Sequence, residues 1–281
     1  MKSVPGHILL QVMFVKNENP VQPVLKHIYS TYLEREVSLT FLLPVKTTKH
    51  PLPVLWLNDG QDIPALELEK ITGSLIMHHE IKPFITVGIH ANADRMQEYG
   101  TLEMPDYENR GAKASLYADF IAKELVPEVR EAFNVSNKQQ ENVIAGFSLG
   151  ALSALDIGWN YPMYFGKIGV FSGSLWWRKR AVNRWYRDSR DRIMHNIIRQ
   201  GAKREGLKFW FEAGTADELT DRNHNGLIDS LDDTVDMIKE LTAKGYDGKK
   251  DIQFVVVKDG THNQDTWKEV MPYFLKWAFG V

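Results

Sequence analysis

Short apolar runs bounded by turn residues recur along the chain and predict a buried sheet. Residues 52–57 and 84–89 are predominantly apolar, which is typical of strands covered on both faces in a parallel sheet. Residues 65–79 between them have apolar positions at helical spacing, so strand, helix and strand alternate as in a βαβ unit. Further strands are predicted at 7–15, 26–30, 35–43, 143–145, 167–171, 208–213 and 252–257, and further helices at 115–133, 231–244 and 265–278.

This alternation predicts an α/β fold with a central, mostly parallel sheet and helices on both faces. The chain has no repeat, low-complexity tract or linker, so we expect one domain over residues 1–281. Pro127 interrupts the helix predicted over 115–133 and should kink it or start a second segment. Residues 93–112 are polar, contain Gly and Pro, and are expected to be irregular.

Composition narrows the function classes. With 43% hydrophobic and 25% charged residues and a net charge of −2, the chain is typical of a globular protein, and nothing favours nucleic acid or an anionic membrane as partner. The absence of cysteine excludes disulfides, a thiol nucleophile and thiolate metal sites. No signal-peptide pattern is present, so we expect a cytoplasmic protein, or a periplasmic or secreted one if a leader was trimmed. The oligomeric state is not predicted.

The richest chemical motif is Gly146-Phe147-Ser148-Leu149-Gly150, between the strand at 143–145 and a helix-forming run. Strand, G-x-S-x-G and helix in this order are the context of a nucleophile elbow, in which a sharp turn exposes the serine hydroxyl. Ser148 is therefore the candidate nucleophile. An ordinary Gly-rich turn is the alternative interpretation.

A serine nucleophile needs a general base, and an elbow serine is followed along the chain by an acid and then a histidine. Three histidines follow Ser148. His195 lies in a charged helical run and His224 in a polar loop, whereas His262 comes just after the strand predicted at 252–257. His262 is the predicted base.

The candidate acid is Asp217, in the loop after the strand predicted at 208–213. Its role would be to accept the imidazole N–H and orient the ring. Glu218 and Asp221 compete for this role, and Asp217 would serve equally well as a cap of a helix or turn. The oxyanion would be held by the backbone N–H groups of Leu149, at the start of the elbow helix, and of Gln61, unless residues 58–60 form only a tight turn.

Six motifs carry a family resemblance, from about residue 37 to the C-terminus. They are Leu55-Trp56-Leu57-Asn58-Asp59-Gly60-Gln61, Arg95-Met96-Gln97-Glu98-Tyr99, the elbow at 146–150, Ser172-Gly173-Ser174-Leu175-Trp176-Trp177, Gly214-Thr215-Ala216-Asp217 and Gly260-Thr261-His262-Asn263.

Together these motifs resemble the putative-esterase group of α/β hydrolases, which includes esterase D, enterobactin esterases, feruloyl and acetyl-xylan esterases and mycolyltransferases. The resemblance implies the α/β-hydrolase fold and the triad Ser148, Asp217 and His262. One departure is Asn58-Asp59-Gly60, where many members have His-Gly.

Residues 221–232 match the pattern of a calcium-binding loop. Asp232 replaces the usual bidentate Glu, as in a dockerin-type loop, and a polar surface loop is the alternative interpretation. A structural calcium would pin the segment after Asp217. The predicted ligands are Asp221, Asn223, Asn225, Asp229 and Asp232 through side-chain oxygen and Leu227 through its carbonyl.

Residues 176–200, here called the basic segment, contain eight arginines or lysines and two acidic residues, with interleaved aromatic residues. The segment is predicted to form a cap or rim that binds an aromatic or anionic part of the substrate. A solvated amphipathic helix that buries its aromatic residues is an equally supported alternative. The predicted substrate-binding residues are Arg95, Trp176 and Trp177.

The sequence thus predicts a serine carboxylic-ester hydrolase, an EC 3.1.1-type esterase, that acts through an acyl-enzyme and needs no cofactor for catalysis. Its partner would be a small-molecule or saccharide ester, with a carbohydrate, phenolic-acid or siderophore-like part. An acyltransferase of the same fold and a noncatalytic carbohydrate- or siderophore-binding module are the alternatives.

Overall fold

The computed structural model describes residues 19–46 and 49–281. The strand predicted over 7–15 lies outside the described residues. Eight strands of the described part form one sheet. They are β1 (Val21–Ser30), β2 (Arg35–Pro44), β3 (Val54–Asn58), β4 (Ile85–Ile89), β5 (Asn142–Phe147), β6 (Lys167–Phe171), β7 (Lys208–Ala216) and β8 (Ile252–Thr261).

The strands lie in the order β1-β2-β4-β3-β5-β6-β7-β8. The β1–β2 and β2–β4 pairs are antiparallel, and all pairs from β4 through to β8 are parallel. The predicted mostly parallel sheet is confirmed. The carboxyl ends of β3 to β8 therefore meet at one side of the sheet, here called the carboxyl edge, where ligands of open α/β sheets bind.

Helices follow most of the parallel strands. The helices are α1 (Leu68–Met77), α2 (Arg95–Glu98), α3 (Ala114–Asp119), α4 (Val126–Ala132), α5 (Leu149–Asn160), α6 (Asp188–Asp191), α7 (Ile193–Gln200), α8 (Asp229–Ala243) and α9 (Gln264–Phe279). A π-helical turn, Phe120–Leu125, joins α3 to α4. Pro127 lies in the first turn of α4, directly after this π-helical turn, so a second segment begins there, which is one of the two predicted outcomes.

Both faces of the sheet are covered, which confirms the predicted layers. Trp56 and Ile144 point into a core that includes residues of α3, α5, α7 and α8. Leu55 and Val143, their chain neighbours, point into a second core shared with α1 and α9. Successive residues of a strand face opposite sides, so burial on both sides explains why β3 and β5 are apolar throughout.

Several boundaries differ from the predictions. β3 begins after Pro53, which lacks the N–H that a central strand donates, while Leu52 forms only an isolated bridge to Val135. β8 continues to Thr261 through polar residues, because an edge strand need not bury both faces. The short helix α2 lies inside the 93–112 segment expected to be irregular. Within residues 19–46 and 49–281, no helix has the length and apolar character needed to cross a membrane.

Candidate active site

β5 passes into α5 through a strained residue, Ser148. Its φ of 55° and ψ of −120° lie in a region that non-glycine residues rarely occupy, and such strain is retained mainly at functional sites. The Ser148 amide donates to the Phe171 carbonyl at 2.9 Å, and its carbonyl accepts from the Ser174 amide at 3.0 Å. This is the backbone conformation that a nucleophile elbow requires, at the carboxyl edge. The nucleophilic role of Ser148 stays a prediction.

Gly146 and Gly150 allow β5 and α5 to approach each other. A Cβ atom on Gly146 would lie 2.5 Å from the carbonyl carbon of Gly150. A Cβ atom on Gly150 would lie 2.5 Å from Oδ2 of Asp59. A side chain at either position would therefore force the backbone, or a buried carboxylate, to move.

His262 follows β8 directly and precedes the cap of α9. The side chain of Asn263 accepts hydrogen bonds from the amides of Asp265 at 3.1 Å and Thr266 at 3.2 Å. This cap fixes the chain at the start of α9. His262 is exposed, so its imidazole is accessible at the carboxyl edge.

Trp267 links the segment of Ser148 to that of His262. Its ring meets the His262 ring edge-on, with centroids 5.4 Å apart, and stacks on Phe147 at 4.8 Å. Its indole N–H donates to Ser172 Oγ at 3.0 Å. One buried side chain thus contacts residues at the ends of β5, β6 and β8.

Asp217 follows β7, whose Ala216 pairs with Thr261 of β8, so the segments of the predicted acid and base are neighbours. Its Oδ2 accepts from the Gly214 amide at 3.1 Å. Its Oδ1 is buried and has no hydrogen-bond partner among the described residues, so it is available to an imidazole N–H. Burial raises the pKa of Asp217, and the neighbouring Ser172 hydroxyl, Gly214 amide and His262 oppose this rise.

The structure therefore brings Ser148, Asp217 and His262 to one edge of the sheet. Among residues 19–46 and 49–281, no hydrogen bond joins the three side chains. Catalytic hydrogen bonds are often long in the absence of substrate and shorten in the complex. The assignment of the triad remains a prediction.

Glu212 is a functional candidate that sequence reasoning missed. It lies on β7 and is fully buried. Ser172 Oγ donates to its Oε2 at 3.4 Å, and its Oε1 has no hydrogen-bond partner among the described residues. Burial, with the nearby charge of Asp217, raises the pKa of Glu212 to about 8. The signal was present in the sequence, because a lone Glu interrupts the apolar run of the strand predicted at 208–213.

The raised pKa keeps Glu212 largely protonated at neutral pH. A second carboxylate close to Asp217 would repel it, and a neutral acid does not. The negative charge of this pair is therefore favoured on Asp217, and an ionised Asp217 is the form that stabilises an imidazolium.

One predicted oxyanion donor lies at the start of helix α5, and the other lies within a 3-10 turn. Leu149 is the first residue of α5, so its amide has no partner within the helix. Gln61 lies in a 3-10 turn, Gly60–Asp62, whose first internal hydrogen bond runs from the Asp62 amide to the Asp59 carbonyl. The Gln61 side chain bonds to Asp59 and to the Ala91 amide, which holds this loop in place. Their function as an oxyanion hole stays a prediction.

Arg95, predicted to bind substrate, forms an ion pair with Asp59. Its Nε and Nη2 atoms lie 2.7 and 2.8 Å from the two carboxylate oxygens of Asp59, whose side chain is 2% exposed. The guanidinium also lies over the Tyr99 ring, 5.0 Å from its centroid. In this conformation Arg95 supports the loop before Gln61, and a contact with substrate stays a prediction.

Trp176 and Trp177 have different environments. Trp177 is fully buried and packs against Gly100 and Gly111, where an added Cβ would lie 3.1 and 2.9 Å from its ring. Trp176 is partly exposed and lines a cleft of about 500 Å³. Gly100 and Gly111 have no side chains, which leaves room for the Trp177 ring in the core. Of the two tryptophans, only Trp176 is accessible to a ligand in this conformation.

The loop at 221–232 brings four of its six predicted ligands together. Asp221 accepts from the Asn225 amide at 3.1 Å and the Gly226 amide at 2.9 Å. Asp232 accepts from the side-chain amides of Asn223 at 2.7 Å and Asn225 at 3.0 Å.

The other two predicted ligands behave differently. Asp229 accepts instead from the Arg222 amide at 2.9 Å and pairs with the Arg222 guanidinium, while Leu227 donates its amide to Asn225 Oδ1 at 2.8 Å. Among the described residues, no three His, Asp or Glu side chains group as a metal site. Calcium binding stays a prediction.

The two other histidines considered as bases have other environments. His195 is fully buried in α7, and its Nε2 donates to the Asp233 carbonyl at 2.9 Å. Burial lowers its pKa to about 3, so it remains neutral. His224 lies in the 221–232 loop with a φ of 56° and is exposed.

Comparison with known proteins places the chain in a family. The model of the family described as "Putative esterase" matches residues 30–277. An uncharacterised protein of Bacillus subtilis (strain 168), YbbA, is 23% identical over 247 residues, which are 86% of this chain and 92% of YbbA.

Two solved structures share the fold. The enterobactin esterase of Shigella flexneri, determined in the presence of enterobactin, superposes with a TM-score of 0.71 at 21% identity, over 93% of this chain and 59% of that one. The chain thus spans somewhat more than half the length of that esterase. A ferulic acid esterase superposes with a TM-score of 0.70 at 18% identity, over 92% of this chain and 97% of that one.

The family model covers most of the chain, and the sheet order and the superpositions agree with it. The expected family and fold are both confirmed. The chain belongs to the putative esterase family of carboxylic-ester hydrolases and has the α/β-hydrolase fold.

Proposed function

We propose that this esterase cleaves its substrate through an acyl-enzyme formed on Ser148. The observation that carries the proposal is the strained conformation of Ser148 at the end of β5, where a sharp turn presents the hydroxyl at the carboxyl edge. Asp217 and His262 follow neighbouring parallel strands and lie at the same edge. This arrangement supports a serine, histidine and aspartate triad.

In the proposed reaction, His262 takes the proton of the Ser148 hydroxyl as the oxygen attacks the ester carbonyl. Asp217 accepts the imidazole N–H through its unpartnered Oδ1 and stabilises the imidazolium. His262 then protonates the departing alcohol, and a water molecule, deprotonated by His262, releases the acid. The Leu149 and Gln61 amides would hold the oxyanion in both steps.

The substrate class follows from the comparisons as a proposal. Relatives of the same fold act on enterobactin and, by name, on ferulic acid esters. Both are small esters with phenolic rings. We therefore place the substrate among esters with a phenolic-acid, siderophore-like or carbohydrate part.

The proposal is tested with p-nitrophenyl acetate and the Ser148→Ala variant. We expect kcat to fall by more than about a thousandfold, because the nucleophile is removed while binding is kept. Acid quenching of the wild-type reaction should trap a protein one acetyl group heavier, and the variant should not trap it. Ser189→Ala, at an exposed serine on α6, is the matched control. Unchanged turnover in Ser148→Ala would refute the role of Ser148.

Hydrolysis and acyl transfer share the acyl-enzyme and differ only in the acceptor. Turnover in the presence of added glycerol or methanol should yield mainly the free acid if water is the natural acceptor. A product distribution dominated by the new ester would favour the acyltransferase alternative.

The proposed chemistry uses only protein groups. Calcium, predicted for residues 221–232, would act as a structural ion that holds the segment after Asp217. The convergence of Asp221 and Asp232 with two asparagines supports this role.

A further inference from the structure

The cleft lined by Trp176 lies beside the candidate triad. Its wall includes Glu218, which follows Asp217 directly. Trp176 comes two residues after Ser174, whose amide donates to the Ser148 carbonyl at 3.0 Å. A substrate bound with its ester at Ser148 could therefore extend into this cleft.

Three arginines and the carboxylates of Glu218, Asp221 and Asp229 line the cleft, and two of the three arginines are already neutralised. Arg110 is paired with Asp106 and Glu108. Arg222 is paired with three aspartates, Asp188, Asp229 and Asp233. These two guanidinium groups have little need of a further anion.

Arg178 is the exception. No carboxylate of the described residues lies within ion-pair distance of its guanidinium, and its Nε is buried without a hydrogen-bond partner. The group lies against three aromatic rings, 5.4 Å from the centroid of Tyr107, 5.6 Å from Trp176 and 5.9 Å from Tyr186. The rings exclude water from the guanidinium and attract its charge only weakly, so the charge remains available to bind an anion.

The backbone holds Arg178 in place before any ligand arrives. Its carbonyl accepts from the Tyr107 amide at 3.0 Å, and the residue forms an antiparallel bridge with Arg192. The neighbouring Trp177 is fully buried. An anchored, planar donor with aromatic neighbours is suited to a carboxylate or phenolate carried on an aromatic ring, because the oxygens can take two parallel N–H bonds while the ring lies against Trp176.

We propose that the cleft over Arg178 is a subsite for an anionic aromatic part of the ester substrate. This inference rests on the proposed function, because it places the ester of that substrate at Ser148. It assigns substrate selection to one residue of the basic segment, Arg178, whose charge the fold itself leaves unpaired.

The test compares two esters that differ only in charge, 4-acetoxybenzoate and the neutral 4-acetoxybenzamide. In the wild type we expect a higher kcat/KM for the benzoate. In Arg178→Met, which keeps an unbranched apolar stem and removes the guanidinium, kcat/KM for the benzoate should fall about tenfold to a hundredfold, mainly through KM. The benzamide should be hydrolysed as before.

Lys179→Met is the matched control, since it removes an exposed cation from the next residue, and it should leave both substrates unaffected. Arg178→Lys should recover only part of the preference, because lysine keeps the charge but not the paired donors. Should Arg178→Met fail to fold, as judged by circular dichroism, Arg178→Gln replaces it. Equal loss on both esters, or no loss on either, would overturn the proposal.

A binding measurement separates this inference from the proposed function. In Ser148→Ala, calorimetric titration with 4-hydroxybenzoate should show binding that 4-hydroxybenzamide lacks and that Ser148→Ala/Arg178→Met loses. Binding of this kind would stand even if Ser148 proved not to be the nucleophile. Absence of binding in the folded Ser148→Ala protein would overturn the subsite and leave the proposed nucleophile untouched.

Discussion

The elbow at 146–150 and the basic segment at 176–200 follow neighbouring parallel strands, yet their structures are determined differently. The elbow is apolar and tightly packed, and a single strained residue, Ser148, interrupts it. The basic segment buries Trp177, Ile193 and Met194, but several of its arginines are held by ion pairs with distant carboxylates. Arg192 pairs with Asp233 and Asp236, and Arg199 pairs with Glu240.

This difference shows that two regions at one edge of a sheet are positioned by different forces, one by steric packing and the other by charge pairing. Steric contact determines where the nucleophile sits. The pairing of charges determines which cation is left over for a ligand, and in this cleft that cation is Arg178. A substitution in the elbow should therefore act through steric clash, and a substitution in the basic segment should act through lost charge pairing.

The largest effect is expected from Asp233→Ala, which breaks the pairing beneath the basic segment. Asp233 binds Arg192 and Arg222, and the side chains of all three residues are at most 8% exposed. Removal of the shared carboxylate takes the most buried counter-charge from two buried cations. Of the carboxylates in the described residues, Arg192 keeps only Asp188 and Asp236, and Arg222 keeps only Asp188 and Asp229. The free energy of unfolding should therefore fall by about 3 kcal/mol in urea titration. Lys239→Ala, which removes an exposed partner of Asp236, should cost less than about 0.5 kcal/mol. A small loss in Asp233→Ala would contradict the view that ion pairs hold this segment.

Gly146→Ala tests steric control of the elbow. The new Cβ would meet the Gly150 backbone at 2.5 Å, so we expect a loss of about 2–3 kcal/mol in the free energy of unfolding and a loss of esterase activity. Gly248→Ala is the control, because no atom lies within 4 Å of a Cβ at that position. Equal stability of the two variants would show that β5 and α5 are not in tight contact.

Glu212→Gln sharpens the comparison, because Glu212 lies on the strand that follows the basic segment. Its pKa is about 8 in the folded protein and 4.5 ordinarily, so between these values the folded state holds a proton that the unfolded state has lost. Its contribution to stability is therefore complete below pH 4.5 and is lost as the pH rises towards 8. Between pH 5 and 9 the free energy of unfolding should fall by about 1–3 kcal/mol more in the wild type than in Glu212→Gln.

The control for this pH experiment is Glu269→Gln at an exposed position, which should keep the wild-type pH dependence. Parallel curves for the wild type and Glu212→Gln would mean that Glu212 is ionised in the folded protein. The measurement is a series of urea titrations at fixed ionic strength.

The smallest effect is expected from calcium at the 221–232 loop, which is joined to the basic segment through the Arg222–Asp188 ion pair. Saturating Ca²⁺ should raise the melting temperature by a few degrees, because a ligand that binds only the folded state stabilises it. Asp221→Ala should abolish the shift, while Asp259→Ala, at an exposed position of β8, should keep it. An unchanged melting temperature with millimolar Ca²⁺ would refute the predicted site.

Much of the fold could be predicted from local pattern. β6 occupies the predicted residues 167–171, and β2 extends the prediction at 35–43 by one residue. These strands are apolar because they are buried, so burial is readable in the sequence. The polar end of β8 was missed because its hydrogen bonds to β7, not its side chains, make it a strand.

The candidate site was predictable in part. The positions of Ser148 and His262 after predicted strands identify them as candidates, and the structure brings their segments to one edge. The role of Glu212 and the ion pair between Arg95 and Asp59 could not be predicted, because each depends on neighbours far away in the chain.

The sequence by itself determined where the strands lie and which turn carries the serine, because hydrophobic period and glycine placement act over a few residues. Only the tertiary structure decided which charges pair, which carboxyl stays protonated and which arginine faces the cleft without a counter-ion. The physical reason is range: packing preferences are local, whereas the field at a side chain depends on every charge and on the water that the whole fold removes.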